Sequence, residues 1–204
     1  MPSNDSKPQR YLELARGGNR TALGDLLALY TGYLKLLARV HIGRRLQGKA
    51  DASDLVQDTF LQVHRHFALF RGTTEAEFVA WLRQILATQL ALLVRRFLGT
   101  KGRDVRLERQ LALEIDHTSR VLDQNLMVQG STPSGHAACR EQSVLLVEAL
   151  YRLPEHYREV IVLRHLEDLP FAEVARHMGR SEDSVQKLWL RALASLRQAL
   201  GDRS

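Results

Sequence analysis

The chain has 204 residues, 45% of them apolar and 25% charged, which supports one or two small domains with cores of their own and is too polar for a membrane protein. No apolar run approaches the ~20 residues that a membrane helix needs, since the longest apolar-rich stretch, Ile85 to Val94, is broken by Thr88 and Gln89. A formal net charge of +6 points to a polyanionic partner, and a single cysteine, Cys139, excludes an intramolecular disulfide and a multi-cysteine zinc site.

The opening residues, Met1 to Pro8, hold no apolar segment and no cleavage site, so no secretory signal is expected and a reduced, cytoplasmic setting follows. Charge then alternates along the chain. Lys/Arg outnumber Asp/Glu nine to three over residues 1–50 and six to two over 95–109, whereas acids lead five to three over 51–94 and five to two over 110–149. Such alternation fits nucleic acid touched at separate places with a protein partner between them, and it equally fits ordinary solvated helix faces.

Apolar residues recur at three- and four-residue spacing, so nearly every segment reads as helix. Tyr30, Tyr33, Leu34, Leu37 and Val40 predict a helix over about 20–41; Val56, Phe60, Val63 and Phe67 predict another over about 52–68. Thr74-Glu75-Ala76-Glu77 has the spacing of a capping box, and the helix it starts carries Phe78, Trp81, Leu82 and Ile85 on to Phe97, ending near Gly99. From about Asp116 to Gln142 the periodicity fades, and Gly130 to Gly135 has linker composition. Helical spacing returns with Val144, Leu145, Val147, Leu150 and Leu153. Pro154 fits the first turn of a further helix bearing Val160, Ile161, Leu163 and Leu166. The expected architecture is therefore all-α: two helical domains, residues 1–112 and 143–204, joined by a flexible linker over 113–142.

Residues 170–200 have the pattern of a helix-turn-helix. A short helix from Pro170 places Phe171, Val174, Ala175 and Met178 on one face; Gly179-Arg180-Ser181 turns; Ser181 can cap the next helix, with Glu182 and Asp183 at its positive end. Val185, Trp189, Ala192, Leu196 and Leu200 then face inward, leaving Ser184, Gln186, Lys187, Leu190 and Arg191 outside. Polar donors on the outer face of a helix with an apolar back suit the major groove, Gln186 and Lys187 at base edges or phosphates and Arg180 and Arg191 on phosphates. A helical hairpin with a solvated outer face has the same pattern.

Two further surfaces stand out. The helix from Ala52 shows Asp54, Gln57, Asp58, Leu61 and Arg65 opposite its apolar stripe; a leucine among polar residues marks a protein-docking face, against the simpler reading of a solvated one. Arg95 and Arg96, followed by Lys101, Arg103, Arg106 and Arg109, form a phosphate-binding candidate. Phe78, Trp81 and Phe97 are candidate platforms for unpaired bases, although their helical spacing equally describes a core. None of the eight histidines has a partner at ligand spacing, so neither metal nor other cofactor is expected. No Ser/His/Asp pattern, glycine-rich phosphate loop or carboxylate pair indicates catalysis, and the chain is not expected to be an enzyme.

Together these segments resemble a known family. Asp51 to Leu61 (Asp-Ala-Ser-Asp-Leu-Val-Gln-Asp-Thr-Phe-Leu) is similar to region 2.2 of the sigma-70 family, and Phe78 to Ile85 to its region 2.3. Leu153 to Arg164, with Val174-Ala175 and Val185 to Ala192, is similar to region 4. Their order and the intervening linker resemble the extracytoplasmic-function (ECF) group of sigma factors. The resemblance implies a transcription-initiation subunit that binds RNA polymerase core, its β and β′ subunits, and selects promoter DNA. Asp54, Gln57, Asp58, Leu61 and Arg65 would then meet the β′ coiled coil. Gln89, Arg95, Arg96, Lys101, Arg103 and Arg106 would read and help open the minus-ten element, with an unstacked base held near Gly99 to Arg103. Arg180, Ser184, Gln186, Lys187, Leu190 and Arg191 would hold the minus-thirty-five element. An anti-sigma factor is the further partner that the resemblance admits; membrane insertion is not implied. The chain departs from the family at Gln89 and at Leu92 or Leu93, where Asn and Asp are frequent, and at Leu188 and Leu190, where longer polar residues are frequent. The alternative from the residues alone is a stand-alone helix-turn-helix regulator with an N-terminal partner-binding domain.

Overall fold

The computed structural model describes residues 6–46, 50–99, 105–125 and 146–201, and every regular element among them is helical. The chain divides into two compact units between His117 and Thr118. In the first, α1 (Lys7–Arg16) starts at Ser6, whose hydroxyl oxygen accepts from the Gln9 amide at 3.4 Å. Pro8 lies in its first turn, where no amide hydrogen is required. Only Leu12 and Ala15 of its ten residues are buried, too few for an apolar repeat to announce the helix.

Gly18, at φ 91°, turns the chain into α2 (Arg20–Leu46), where Asn19 Oδ1 accepts from the Ala22 amide at 3.1 Å. The predicted stripe from Tyr30 to Val40 is buried throughout, and the helix runs past the expected end at 41. α3 (Ala52–His66) is capped by Asp51, which accepts from the Ser53 amide at 2.7 Å; a 3-10 turn, Phe67–Leu69, follows. α4 (Glu75–Leu98) opens on the predicted capping box. Thr74 Oγ1 accepts from the Glu77 amide at 3.3 Å while Glu77 Oε2 accepts from the Thr74 amide at 3.0 Å, and left-handed Gly99 ends the helix.

By length and composition Glu75–Phe97 is apolar enough to cross a membrane, which the search for unbroken apolar runs did not anticipate. Its apolarity is spent inside the unit. Phe78, Leu82, Leu86, Leu90, Ala91 and Val94 are buried, and α4 packs against α2 and α3.

α5 (Val105–Asn125) departs from the sequence expectation. The periodicity was read as fading from Asp116 and the linker as starting at 113, yet the helix continues to 125; the rest of the linker lies outside the described residues. Within the first unit α5 buries Leu111 and Ile115 and is held by ion pairs from α2 and α4. Arg45 Nη2 donates to both oxygens of Glu114 at 2.7 Å, Arg83 Nε donates to Asp116 at 2.6 Å, and Arg95 Nη2 donates to Glu108 at 3.4 Å. Burial opposes ionisation of Glu114, but hydrogen bonds from Arg45 and Gln110 and the Arg45 charge outweigh it and hold the carboxyl below its ordinary range.

The second unit contains α6 (146–152), α7 (Glu155–Ile161), α8 (Phe171–Met178) and α9 (Glu182–Gly201). Pro154 stands just before α7 and caps it, one place earlier than the expected first-turn position. α7 widens into a π turn, Val162–Leu166, and closes where Leu169 donates its amide to the Leu163 carbonyl at 3.0 Å around left-handed Asp168, φ 54°. α7 and α8 both pack on α9, burying Val160, Ile161, Val174, Val185, Ala192 and Leu196.

Candidate partner-docking and nucleic-acid interfaces

α3 separates its two faces cleanly. Leu55, Val56, Thr59 and Val63 are buried, with the Thr59 hydroxyl donating to the Leu55 carbonyl at 2.8 Å so that the one polar group on that face is satisfied. Asp54, Gln57, Asp58, Leu61 and Arg65 all point to solvent, and Leu61 is 54% exposed. Full burial of a leucine is worth about 1.5–3 kcal/mol, so covering the exposed half of Leu61 against a partner contributes about 1 kcal/mol.

The loop after α3 is tightly built. Phe67, Phe70, Phe78 and Trp81 form one ring cluster, Phe70 stacking on Trp81 at 5.0 Å between centroids. Phe78 is fully buried, so it is core and not a base platform; Trp81 is half-buried and Phe97 is 48% exposed. A Cβ on Gly72 would run into the Phe70 ring and Glu77 Cβ. α1 and α2 brace the loop and the start of α4: Gln9 Nε2 donates to the Thr73 carbonyl at 3.0 Å, and both Ser6 and Tyr30 of α2 donate to the Glu75 carboxylate, at 3.1 and 2.7 Å.

Of the minus-ten set, Gln89, Arg95, Arg96 and Arg106 lie among the described residues and differ in exposure. Gln89 is half-buried, while Arg96 and Arg106 are exposed. Arg95 is a correction to the sequence reading. It is 9% exposed, donating to the Ala91 carbonyl at 3.2 Å and to Glu108, and so fastens α5 to α4 where a phosphate contact was expected. Lys101 and Arg103, and with them the base-capture loop, lie outside the described residues.

Sequence reasoning missed a basic groove of about 680 Å³ between the end of α1, the start of α2 and the loop after α3. Arg16, Arg20, His64 and Arg71 line it beside Leu61 and Arg65 of the α3 face, and no carboxylate does. The nine-to-three excess of bases in the first fifty residues was its only sequence signal.

In the second unit the helix-turn-helix is as read. Gly179 is left-handed at φ 62°, Ser181 Oγ accepts from the Ser184 amide at 3.3 Å, and α9 follows. Arg180, Gln186, Lys187, Leu190 and Arg191 are exposed and Ser184 half-buried. Gln186 donates to Glu182 at 3.4 Å and Lys187 to Asp183 at 2.8 Å, whereas Arg180 and Arg191 make no ion pair among the described residues. Leu188 is 7% exposed and belongs to the core, leaving Leu190, 60% exposed, as the apolar residue of the outer face.

The arrangement defines a class first: a helix-turn-helix unit in one chain with a helical unit that exposes a mixed polar and apolar helix face. Family models then match both units, sigma-70 region 2 over residues 29–97 and sigma-70 region 4 over residues 143–196. The chain is 31% identical to the ECF RNA polymerase sigma factor BldN of Streptomyces coelicolor, across 98% of this chain and 70% of that protein. It is 24% identical to the ECF RNA polymerase sigma-E factor of Haemophilus influenzae, across 90% of each. A solved RsbN-BldN complex matches at 26% identity with a TM-score of 0.31, covering 92% of this chain and 97% of that one. The chain belongs to the sigma-70 family of RNA polymerase sigma factors, in its ECF group. It is a DNA-binding transcription-initiation factor that joins RNA polymerase core, and not an enzyme. The region 2 match displaces the stand-alone regulator.

Proposed function

We propose a division of labour between the faces described. The α3 face of Asp54, Gln57, Asp58, Leu61 and Arg65 docks on the β′ coiled coil. Gln89, Arg96 and Arg106, with Lys101 and Arg103, meet the minus-ten element, and Phe97 is the exposed ring available to an unpaired base. Arg180, Ser184, Gln186, Lys187, Leu190 and Arg191 hold the minus-thirty-five duplex. The first domain extends through α5 residues as far as Asp116, residues 143–204 act as the second, the segment between joins them, the chain works in the cytoplasm, and an anti-sigma factor is its regulatory partner.

The observation that carries this reading is the exposed Leu61 set among Asp54, Gln57, Asp58 and Arg65 on a helix whose other face buries Leu55, Val56, Thr59 and Val63. A singly exposed leucine is ordinary on a protein surface; the support lies in its company, an apolar group ringed by polar side chains on a helix inside the segment that matches sigma-70 region 2. The test is recovery of core RNA polymerase on the immobilised chain. Asp58→Arg reverses a charge on an exposed position and leaves the core of α3 untouched, so recovery drops at least about tenfold, the factor that about 1.4 kcal/mol represents. Equal recovery by wild type and variant overturns the α3 assignment.

A further inference from the structure

The π turn at the end of α7 puts His165 against the helix assigned above to the major groove. Trp189 Nε1 of α9 donates to His165 Nε2 at 2.9 Å, and the two rings lie nearly parallel, 24° apart with centroids at 5.9 Å. Phe171 of α8 closes the other side, edge-on to Trp189 at 5.5 Å, with the Arg164 guanidinium 5.1 Å from its ring centre. Three elements thus meet at one indole. Its N–H is a donor only, so the imidazole nitrogen that receives it must carry no proton, and the ring hydrogen sits on Nδ1.

We propose that His165 is a positioning residue for DNA recognition: its neutral imidazole, by accepting from Trp189, holds α9 at the angle that presents Arg180, Gln186, Lys187 and Arg191 to the duplex, and protonation releases that hold. This rests on the assignment of α9 to the minus-thirty-five element. A protonated imidazole offers two donors and no acceptor, so the Trp189 N–H loses its partner and two donors are set against each other. Among the described residues the charges acting on His165 are Arg164 and Asp168, and α9 brings the Trp189 indole to it. Burial in the turn keeps the imidazole below the ordinary histidine range, the Arg164 charge pushes the same way, and Asp168 opposes them. The hold is therefore complete above the ordinary histidine range and is lost as pH falls through the lowered value.

The full chain carrying Trp81→Phe, with Trp189 as its one indole, gives a direct readout. Its emission drops on acidification, with a midpoint below the ordinary histidine value, because a protonated imidazole against the ring quenches it. The added His165→Gln change removes the step, since glutamine accepts a hydrogen bond without titrating. Holoenzyme binding is then followed on a promoter fragment recovered from a random pool by the wild-type holoenzyme. Relative to His165→Gln, wild type weakens on acidification by about fivefold, the worth of one hydrogen bond. His165→Leu is weak at every pH, and His165→Gln restores binding. An emission step that survives in His165→Gln, identical pH profiles for wild type and His165→Gln, or full binding by His165→Leu overturns the proposal. An emission step as described, together with unchanged DNA binding by Arg191→Ala, overturns instead the assignment of α9 to the groove.

Discussion

Arg95 and Arg96 are adjacent in sequence, yet one donates to Glu108 and the Ala91 carbonyl inside the first unit while the other stands in solvent. A run of charges announces a basic cluster, but which cation is free depends on helix phase and on the carboxylate that reaches it. Lys187 and Arg191 repeat the contrast on α9. Lys187 already holds Asp183 at 2.8 Å in an exposed i,i+4 pair, an interaction worth about 0.3–0.5 kcal/mol, so a phosphate must displace a carboxylate to recruit it. Arg191 has no such competitor among the described residues. Arg191→Ala is expected to weaken promoter binding by the holoenzyme by about 1 kcal/mol or more at low salt, and Lys187→Ala by less. Each change also removes about 0.9 from the slope of log affinity against log salt where the contact is to phosphate. Salt titrations of both variants check this; equal losses would mean that Asp183 does not compete. The outer face of α9 was readable in the sequence because its buried neighbours are plain apolar residues. Leu188, three residues past Val185 and four before Ala192, lies on the same stripe by helical spacing; the resemblance to the family had set it on the outer face, and packing puts it inside.

At the scale of elements, legibility follows the chemistry of the buried stripe. The stripes of α2, α3 and α4 are almost wholly apolar and were readable, as were the Thr74 capping box and the Gly179 turn. α5 was not, because its buried positions mix Leu111, Ile115 and Leu122 with Glu108, Thr118 and Ser119, so charge pairing replaces part of the hydrophobic signal. The π turn likewise has no signature in apolar spacing, and α1 has too few buried residues to show. The pairing of α5 is testable by pH. The Glu114 carboxyl is held below its ordinary value of 4.5, so the stability it lends is present above that value and is lost as pH falls through the lowered one. Wild type is therefore more stable to heat than Glu114→Gln near neutrality, by about 1 kcal/mol or less for so exposed a pair. The two converge on acidification below about pH 4. A gap that persists into acid would assign the difference to packing.

For the molecule as a whole, fold class was legible from helical periodicity, and the family from motifs in order; the groove and the charge pairs, which need residues distant in sequence, were not. Two DNA-contacting units on one chain predict a dependence on the polymerase. The free chain is expected to bind a promoter fragment at least about a hundredfold more weakly than the holoenzyme, since engaging both elements at once raises avidity by 10²–10⁴ only where geometry permits it. Equal affinities in a mobility-shift titration would contradict it. The apolar face of α4 has a consequence for biosynthesis. A helix greasy enough for a bilayer leaves the ribosome only after α2 and α3, the surfaces that cover it, have been made, whereas its ionic partner α5 comes afterwards. Translation order thus shelters the segment most prone to mistargeting, and a fragment beginning at residue 70 would emerge without that shelter.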